Sequence, residues 1–97
     1  MRMMMRVTIP VESGNKAIKD DTIGKTIQQA MEVIKPEAAY FTPHNGQRTA
    51  YFFFDMKDSS QLVQYGEQFF LQLNAQVEFV PAMNAEDLKT GLATLKR

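Results

Sequence analysis

Four short stretches of the chain are predicted to be β-strands, and the two-residue period of a strand assigns successive side chains to opposite faces. They are residues 3–9, 38–42, 48–56 and 76–80. The run from Ala50 to Met56 is apolar on both of its faces up to Asp55. Pro10 and Pro81 close the first and the last stretch, since proline cannot donate a hydrogen bond to a sheet. The dipeptide Asn45-Gly46 within residues 43–47 is a strong signal for a hairpin turn between the second and third strands.

Apolar residues spaced three and four apart predict helices between these strands. Residues 16–35 carry one such stripe, made by Ile23, Ile27, Ala30, Met31 and Ile34. We expect Ser13-Gly14-Asn15 to be a loop in which Asn15 caps this helix, and Pro36 to end it. The residues Asp20-Asp21-Thr22 leave a second interpretation open, in which the helix restarts there, because Asp and Thr favour helix caps.

Two more helices are predicted further along the chain. Asp58-Ser59-Ser60 provides a cap for a helix that runs to about Asn74, and Asn84 caps a short final helix with an apolar side. Gly24 and Gly66 interrupt the predicted helix interiors, where each glycine costs about 1 kcal/mol relative to alanine. Close approach of each helix to the sheet explains them best, and contact with a ligand is the alternative.

The resulting order, β-α-β-β-α-β with a terminal helix, is the ferredoxin-like pattern of an α+β fold with an antiparallel four-stranded sheet. We expect residues 1–97 to form a single domain of this kind. Both helices then cover one face of the sheet, and the other face should be polar. Instead the pattern places apolar side chains there: Met4, Tyr40, Tyr51, Phe53 and Val80. A face this apolar predicts a cover, most simply a second copy in a two-fold homodimer.

Composition narrows the possible partners. The chain has 97 residues, no net charge and no cysteine. Without a basic cluster we expect no nucleic acid, and without cysteine no disulfide, thiolate metal site or cysteine nucleophile. The first ten residues are a poor signal peptide, and no apolar run is long enough to cross a bilayer. The expectation is a soluble cytoplasmic protein with no membrane partner.

The order of elements, the helix NAEDLKTGLATL after the fourth strand and the small size resemble the dimeric α+β-barrel superfamily. More narrowly, the segments KPEAAYFT, NGQRTAYFFFDM, DSSQL and NAQVEFVPAMNAEDL resemble those of a small group of bacterial proteins without an assigned activity. The resemblance spans nearly the whole chain and implies pairing of two sheets into a barrel. The superfamily includes cofactor-free monooxygenases, muconolactone isomerases, dye-decolourising and haem-degrading enzymes, and binding modules. Fold similarity alone therefore assigns no reaction.

Candidate chemistry gathers on the predicted partner-facing side of the sheet. The alternation places there Arg6, Tyr40, Thr42, Tyr51, Asp55 and Glu78. The planar guanidinium of Arg6 suits a carboxylate or an enolate, and a carboxylate in apolar surroundings can act as a base. This predicts a ligand-binding pocket for a small acid or phenol. The alternative is that Arg6 only pairs with Asp55 or Glu78 to satisfy a buried charge.

His44, the single histidine, lies in the predicted turn. It is either a solvated loop residue or a proton carrier at the mouth of a barrel. We expect no metal and no cofactor, because one histidine gives too few ligands and the acidic pairs lie at helix ends.

Two functions of different classes remain. The first is a binding or assembly module that holds a small metabolite. The second is a cofactor-independent oxygenase or isomerase, in which Arg6 stabilises an oxyanion and Asp55, Glu78 or His44 moves a proton.

Overall fold

The computed structural model describes residues 1–96 and shows a small α+β domain with an open four-stranded antiparallel sheet. The elements in chain order are β1 (Arg2–Ile9), α1 (Val11–Lys19), α2 (Thr22–Ile34), β2 (Ala38–Phe41), β3 (Arg48–Asp55), α3 (Gln61–Leu73), β4 (Gln76–Pro81) and α4 (Ala85–Ala93). All four predicted strands are confirmed, each to within one residue at either end.

The strands lie in the order β2-β3-β1-β4, with every neighbouring pair antiparallel. Strands β1 and β3 are central, and β2 and β4 form the two edges. The register places Met5 between Phe52 and Phe79 on one face of the sheet. On the other face Arg6 lies between Tyr51 and Glu78. The predicted alternation of faces is therefore confirmed for both the central and the edge strands.

The hydrophobic core lies between one face of the sheet and the helices. Its largest fully buried side chains include Phe52, Phe54, Phe69 and Met5. Phe52 of β3 contacts Phe69 of α3 with ring centroids 5.9 Å apart, and Phe54 meets Tyr65 edge to face at 5.1 Å. Full burial of each such side chain contributes about 1.5–3 kcal/mol, so the docking of α3 rests mainly on these aromatic contacts.

The first crossover contains two helices instead of the single helix predicted over residues 16–35. Its α1 begins at Val11, directly after Pro10, so the predicted loop at residues 13–15 and the cap at Asn15 are wrong. The side chain of Ser13 donates to the carbonyl oxygen of Leu73 at 2.8 Å, which anchors α1 to the end of α3. The element order is therefore β-α-α-β-β-α-β-α, which differs from the predicted one.

The break between α1 and α2 lies at Asp20-Asp21, where the alternative interpretation placed a restart. Asp21 adopts a left-handed conformation with φ of 61°. The carboxylate of Asp20 accepts hydrogen bonds from the backbone N–H of Thr22 at 3.1 Å and from its hydroxyl at 2.6 Å. These bonds cap the first turn of α2 and lower the pKa of Asp20, mainly through the Thr22 hydroxyl.

Helix α4 projects from this body. Asn84 and Asp87 form a reciprocal capping box at its start, which confirms the predicted cap, but no residue of α4 is buried. Leu88, Leu92 and Leu95 are about half or more exposed. Asp87 also accepts from Arg2 at 3.1 Å, and this ion pair links the start of α4 to β1.

The two glycines that the sequence places inside predicted helices, Gly24 and Gly66, differ in their surroundings. A Cβ on Gly66 would lie 3.4 Å from the ring of Phe79, so close approach of α3 to β4 is confirmed there. A Cβ on Gly24 would meet nothing within 4 Å, so the same prediction is wrong for α2. Within residues 1–96, no helix is long and apolar enough to cross a membrane.

Candidate functional site

A row of polar side chains crosses the sheet on the face turned away from α1, α2 and α3, which we call the open face. The register aligns four residues along this row, one on each strand: Tyr40, Tyr51, Arg6 and Glu78. Side chains directly opposite each other in antiparallel strands have Cβ atoms about 4.5–5.5 Å apart. The structure therefore brings together four of the six residues that the sequence predicts for the site.

The centre of the row is an ion pair between Arg6 and Glu78. Oε1 of Glu78 accepts from Nε of Arg6 at 2.9 Å and lies 2.8 Å from Nη2. The hydrogen bond and the charge of Glu78 raise the pKa of Arg6, and Tyr51 adds to this. Of the two carboxylates offered by the sequence, Glu78 is the partner of Arg6. Both side chains stay partly exposed, at 29% and 50%, so the pair is accessible from outside.

The hairpin loop between β2 and β3 folds over one end of the open face. Thr8 and Thr49 belong to this face by register, yet only 8% and 4% of their surfaces are exposed. A depression of about 120 Å³ lies beside Thr8. It is lined by Arg6, Thr8, His44, Asn45, Gln47, Gln76 and Glu78.

The hairpin turn that carries His44 is confirmed. Asn45 and Gly46 have positive φ values of 53° and 75°, as the predicted Asn-Gly turn requires. His44 and Gln47 exchange two backbone hydrogen bonds, at 2.9 and 3.1 Å. The turn thus places the imidazole in the same depression as the Arg6–Glu78 pair, where a cation, a carboxylate and a titratable base converge.

The structure leaves two candidate residues outside this cluster, Thr42 and Asp55. Thr42 follows the end of β2, where its backbone N–H donates to the carbonyl oxygen of Thr49 at 3.1 Å. Asp55 lies on the open face opposite Arg2, four residues and about 13 Å along the strand from Tyr51. Its carboxylate accepts from the Met1 ammonium at 2.8 Å and from Lys57 Nζ at 3.0 Å. These contacts, led by the Met1 hydrogen bond, lower the pKa of Asp55 to about 2. The carboxylate of Asp55 is therefore ionised at the end of the sheet, and its ion pairs do not favour a role as a general base.

An apolar row runs beside the polar one. By register it consists of Ala38, Phe53, Met4 and Val80. Phe53 packs edge to face against Tyr40 with centroids 6.4 Å apart. Val80 is 42% exposed, and Ala38, Phe53 and Met4 are partly exposed, so no element of residues 1–96 fully covers this row.

One residue of interest lies outside the predicted site. Arg48 begins β3 and faces the helices, in the same phase as Ala50 and Phe52. It lines an apolar groove that the sequence analysis did not identify. The sequence does contain a sign of this site, because Arg48 occupies a position where the alternation of β3 predicts an apolar residue.

The described residues contain no group of three or more His, Cys, Asp or Glu side chains placed to hold a metal ion. A scan against protein-family models found no match, and searches of curated proteins and of solved structures also found none. Possible functions are therefore inferred from the geometry of the chain's own side chains.

Proposed function

We propose that the protein is a homodimer of the dimeric α+β-barrel kind that binds a small organic acid at Arg6, between the open faces of two sheets. The observation that carries this proposal is the cross-strand row centred on Arg6, beside an uncovered apolar row, on one face of the sheet.

The strand order supports a ferredoxin-like arrangement. In β2-β3-β1-β4, the crossover from β1 to β2 and the crossover from β3 to β4 each skip one strand position, as in a split βαβ unit. On this interpretation α1 and α2 together take the place of the usual first helix, broken at Asp20-Asp21.

The apolar content of the open face supports pairing with a second copy. Large exposed apolar patches on small proteins mark interaction surfaces, and the row containing Phe53, Met4 and Val80 is flanked by polar rows on the same sheet. A closed two-fold pair buries this apolar row with the same chain as its partner.

The donors of Arg6 support an acid as the ligand. A guanidinium has five N–H donors, and Glu78 occupies the edge formed by Nε and Nη2. The remaining donors are available for a second carboxylate or a phenolate, and Tyr51 lies beside them. Once a partner excludes water from this face, hydrogen bonds to a charged ligand strengthen. The depression of about 120 Å³ restricts the ligand to a small molecule.

Sedimentation equilibrium with two matched variants tests the pairing. Phe53→Asp puts a charge in the apolar row and should give a monomer at micromolar concentration. Leu71→Asp puts the same charge on α3, where Leu71 is 81% exposed, and should leave the dimer intact. A monomeric wild-type protein, or dissociation of both variants alike, contradicts pairing through the open face.

The convergence of His44 and Glu78 with Arg6 in one depression favours a second candidate, a cofactor-independent isomerase or monooxygenase acting on a small aromatic or enolisable substrate. In its simplest step, His44 or Glu78 removes a proton from a carbon next to a carbonyl, and Arg6 stabilises the enolate oxygen. Phenylpyruvate in D₂O tests this step. The protons of its CH₂ group, next to the ketone, should exchange for deuterium faster with the wild-type protein than with His44→Gln or Glu78→Gln. Equal exchange rates in all three proteins exclude this step for that probe.

A further inference from the structure

An apolar groove lies on the helix side of the sheet, between α2 and the ends of β1, β2 and β3. Its volume of about 370 Å³ falls within the roughly 300–1,000 Å³ of typical small-molecule pockets. Its apolar walls are formed by Ile9, Ile23, Ile27, Phe41 and Ala50. No aspartate or glutamate lines it.

Arg48 also lines this groove and lacks a carboxylate partner within residues 1–96. Its Nη2 donates to Oδ1 of Asn15 at 3.1 Å. The other two arginines of the described chain, Arg2 and Arg6, each pair with at least one carboxylate. Arg48 is half-buried, and a partly buried cation is costly without an anion nearby.

The position of the guanidinium is set by α1. A Cβ on Gly14 would lie only 2.7 Å from Nη1 of Arg48, so the guanidinium lies against the helix backbone where a side chain is missing. Gly14 and Asn15 thus hold the guanidinium against α1, beside the groove. The arrangement combines an apolar wall with a neighbouring cation that has unused donors, the two parts that an amphiphilic ligand needs.

We propose that the groove binds a small amphiphilic carboxylate, with its hydrocarbon part against Phe41 and Ile27 and its carboxylate on Arg48. The site is complete within one protomer and lies on the opposite side of the sheet from Arg6. It therefore does not depend on the pairing of open faces or on the ligand proposed there.

Octanoate, with neutral 1-octanol as its matched control, tests this assignment on the full chain. In backbone amide NMR spectra, octanoate should shift the resonances of Phe41, Thr42 and Thr49. The resonances of Tyr51 and Glu78 should stay unchanged. Arg48→Met keeps an unbranched apolar stem at this position and removes the charged guanidinium. It should weaken octanoate binding at least about tenfold, equivalent to about 1.4 kcal/mol, and leave octanol binding unchanged.

Two further variants keep the test independent of folding defects. Phe41→Ala, at a half-exposed position, should weaken octanoate and octanol alike, and Arg6→Gln should weaken neither. If Arg48→Met does not fold, Arg48→Lys replaces it and should bind octanoate more weakly than wild type, because lysine lacks the planar fork.

Three results overturn the proposal. One is equal octanoate affinity in wild type and the Arg48 variants, and another is octanoate shifts centred on Arg6. The third is an absence of octanoate binding together with Phe41 resonances that move on dilution, which assigns the groove to a second copy of the chain.

Discussion

Arg6 on β1 and Glu78 on β4 lie directly opposite each other on the open face, with Nη2 and Oε1 2.8 Å apart. Because both side chains remain in contact with solvent, this pair contributes little to folding. Its larger consequence concerns binding, since Glu78 competes with any acid that approaches the same guanidinium.

Glu78→Gln should therefore tighten the binding of a small acid at Arg6. With benzoate as the probe, we expect a several-fold lower Kd in this variant, and no measurable binding in Arg6→Gln. Isothermal titration calorimetry of the two variants and the wild type checks both expectations. Weaker binding in Glu78→Gln shows that Glu78 supports the ligand instead of competing with it.

Asp55 should make the stability of the fold depend on pH in the acid range. Its pKa of about 2 in the folded protein lies below the ordinary value of 3.8, mainly because the Met1 ammonium and Lys57 bond its carboxylate. A lowered pKa stabilises the fold above about pH 4, and this contribution is lost as the pH falls from 4 towards 2. Urea unfolding should find Asp55→Asn less stable than wild type at pH 7. The two proteins should converge near pH 2, and a constant difference across this range contradicts the assignment.

The capping box of α4 should affect the stability of α4 itself and not that of the whole domain. Asn84→Ala removes a cap worth about 1 kcal/mol, but α4 buries no residue. We expect several-fold faster hydrogen exchange in residues 85–93 with an unchanged urea midpoint for the sheet and α3. Ser59→Ala, which changes a hydroxyl for which no hydrogen bond is found within residues 1–96, serves as the control. A large fall in the urea midpoint of Asn84→Ala indicates that α4 packs against another surface in solution.

Gly24 and Gly66 should respond oppositely to substitution. Gly24→Ala adds a methyl group into open space and should stabilise the protein by up to about 1 kcal/mol. Gly66→Val extends beyond the Cβ position that already contacts Phe79 at 3.4 Å and should destabilise it by about 1–3 kcal/mol. Urea unfolding of the pair measures both effects. Equal destabilisation by both changes contradicts the close packing of α3 on β4.

The faces of the strands can be predicted from the sequence because the side-chain period of a strand is two, and an error of one residue would expose its whole apolar set. This places Arg6, Tyr51 and Glu78 on one face. Alternation does not give the register between strands, however, which sets Arg6 opposite Tyr51 and leaves Asp55 opposite Arg2. Asp55 shares their face and still lies outside the cluster, held at the end of β3 by Met1 and Lys57.

The start of α1 shows why other parts of the fold cannot be predicted from the local sequence. Ser13, Gly14 and Asn15 are typical turn residues, yet all three are helical. The Ser13 hydroxyl bonds the carbonyl of Leu73, and Gly14 makes room for Arg48. These contacts join residues far apart in the chain, so they outweigh local preference only once the fold exists. The groove beside Arg48 depends on the same contacts.

The positions of β2 and β4 at the edges of the sheet affect how the chain resists fibril formation. Strands rich in methionine and phenylalanine are prone to cross-β growth when their backbone edges are free. Here β2 is only four residues long, Pro43 follows it closely, and β4 ends in Pro81. Short edges and edge prolines disfavour the addition of further strands. The central strands β1 and β3 are thereby shielded from amyloid-type stacking even though the open face carries an apolar row.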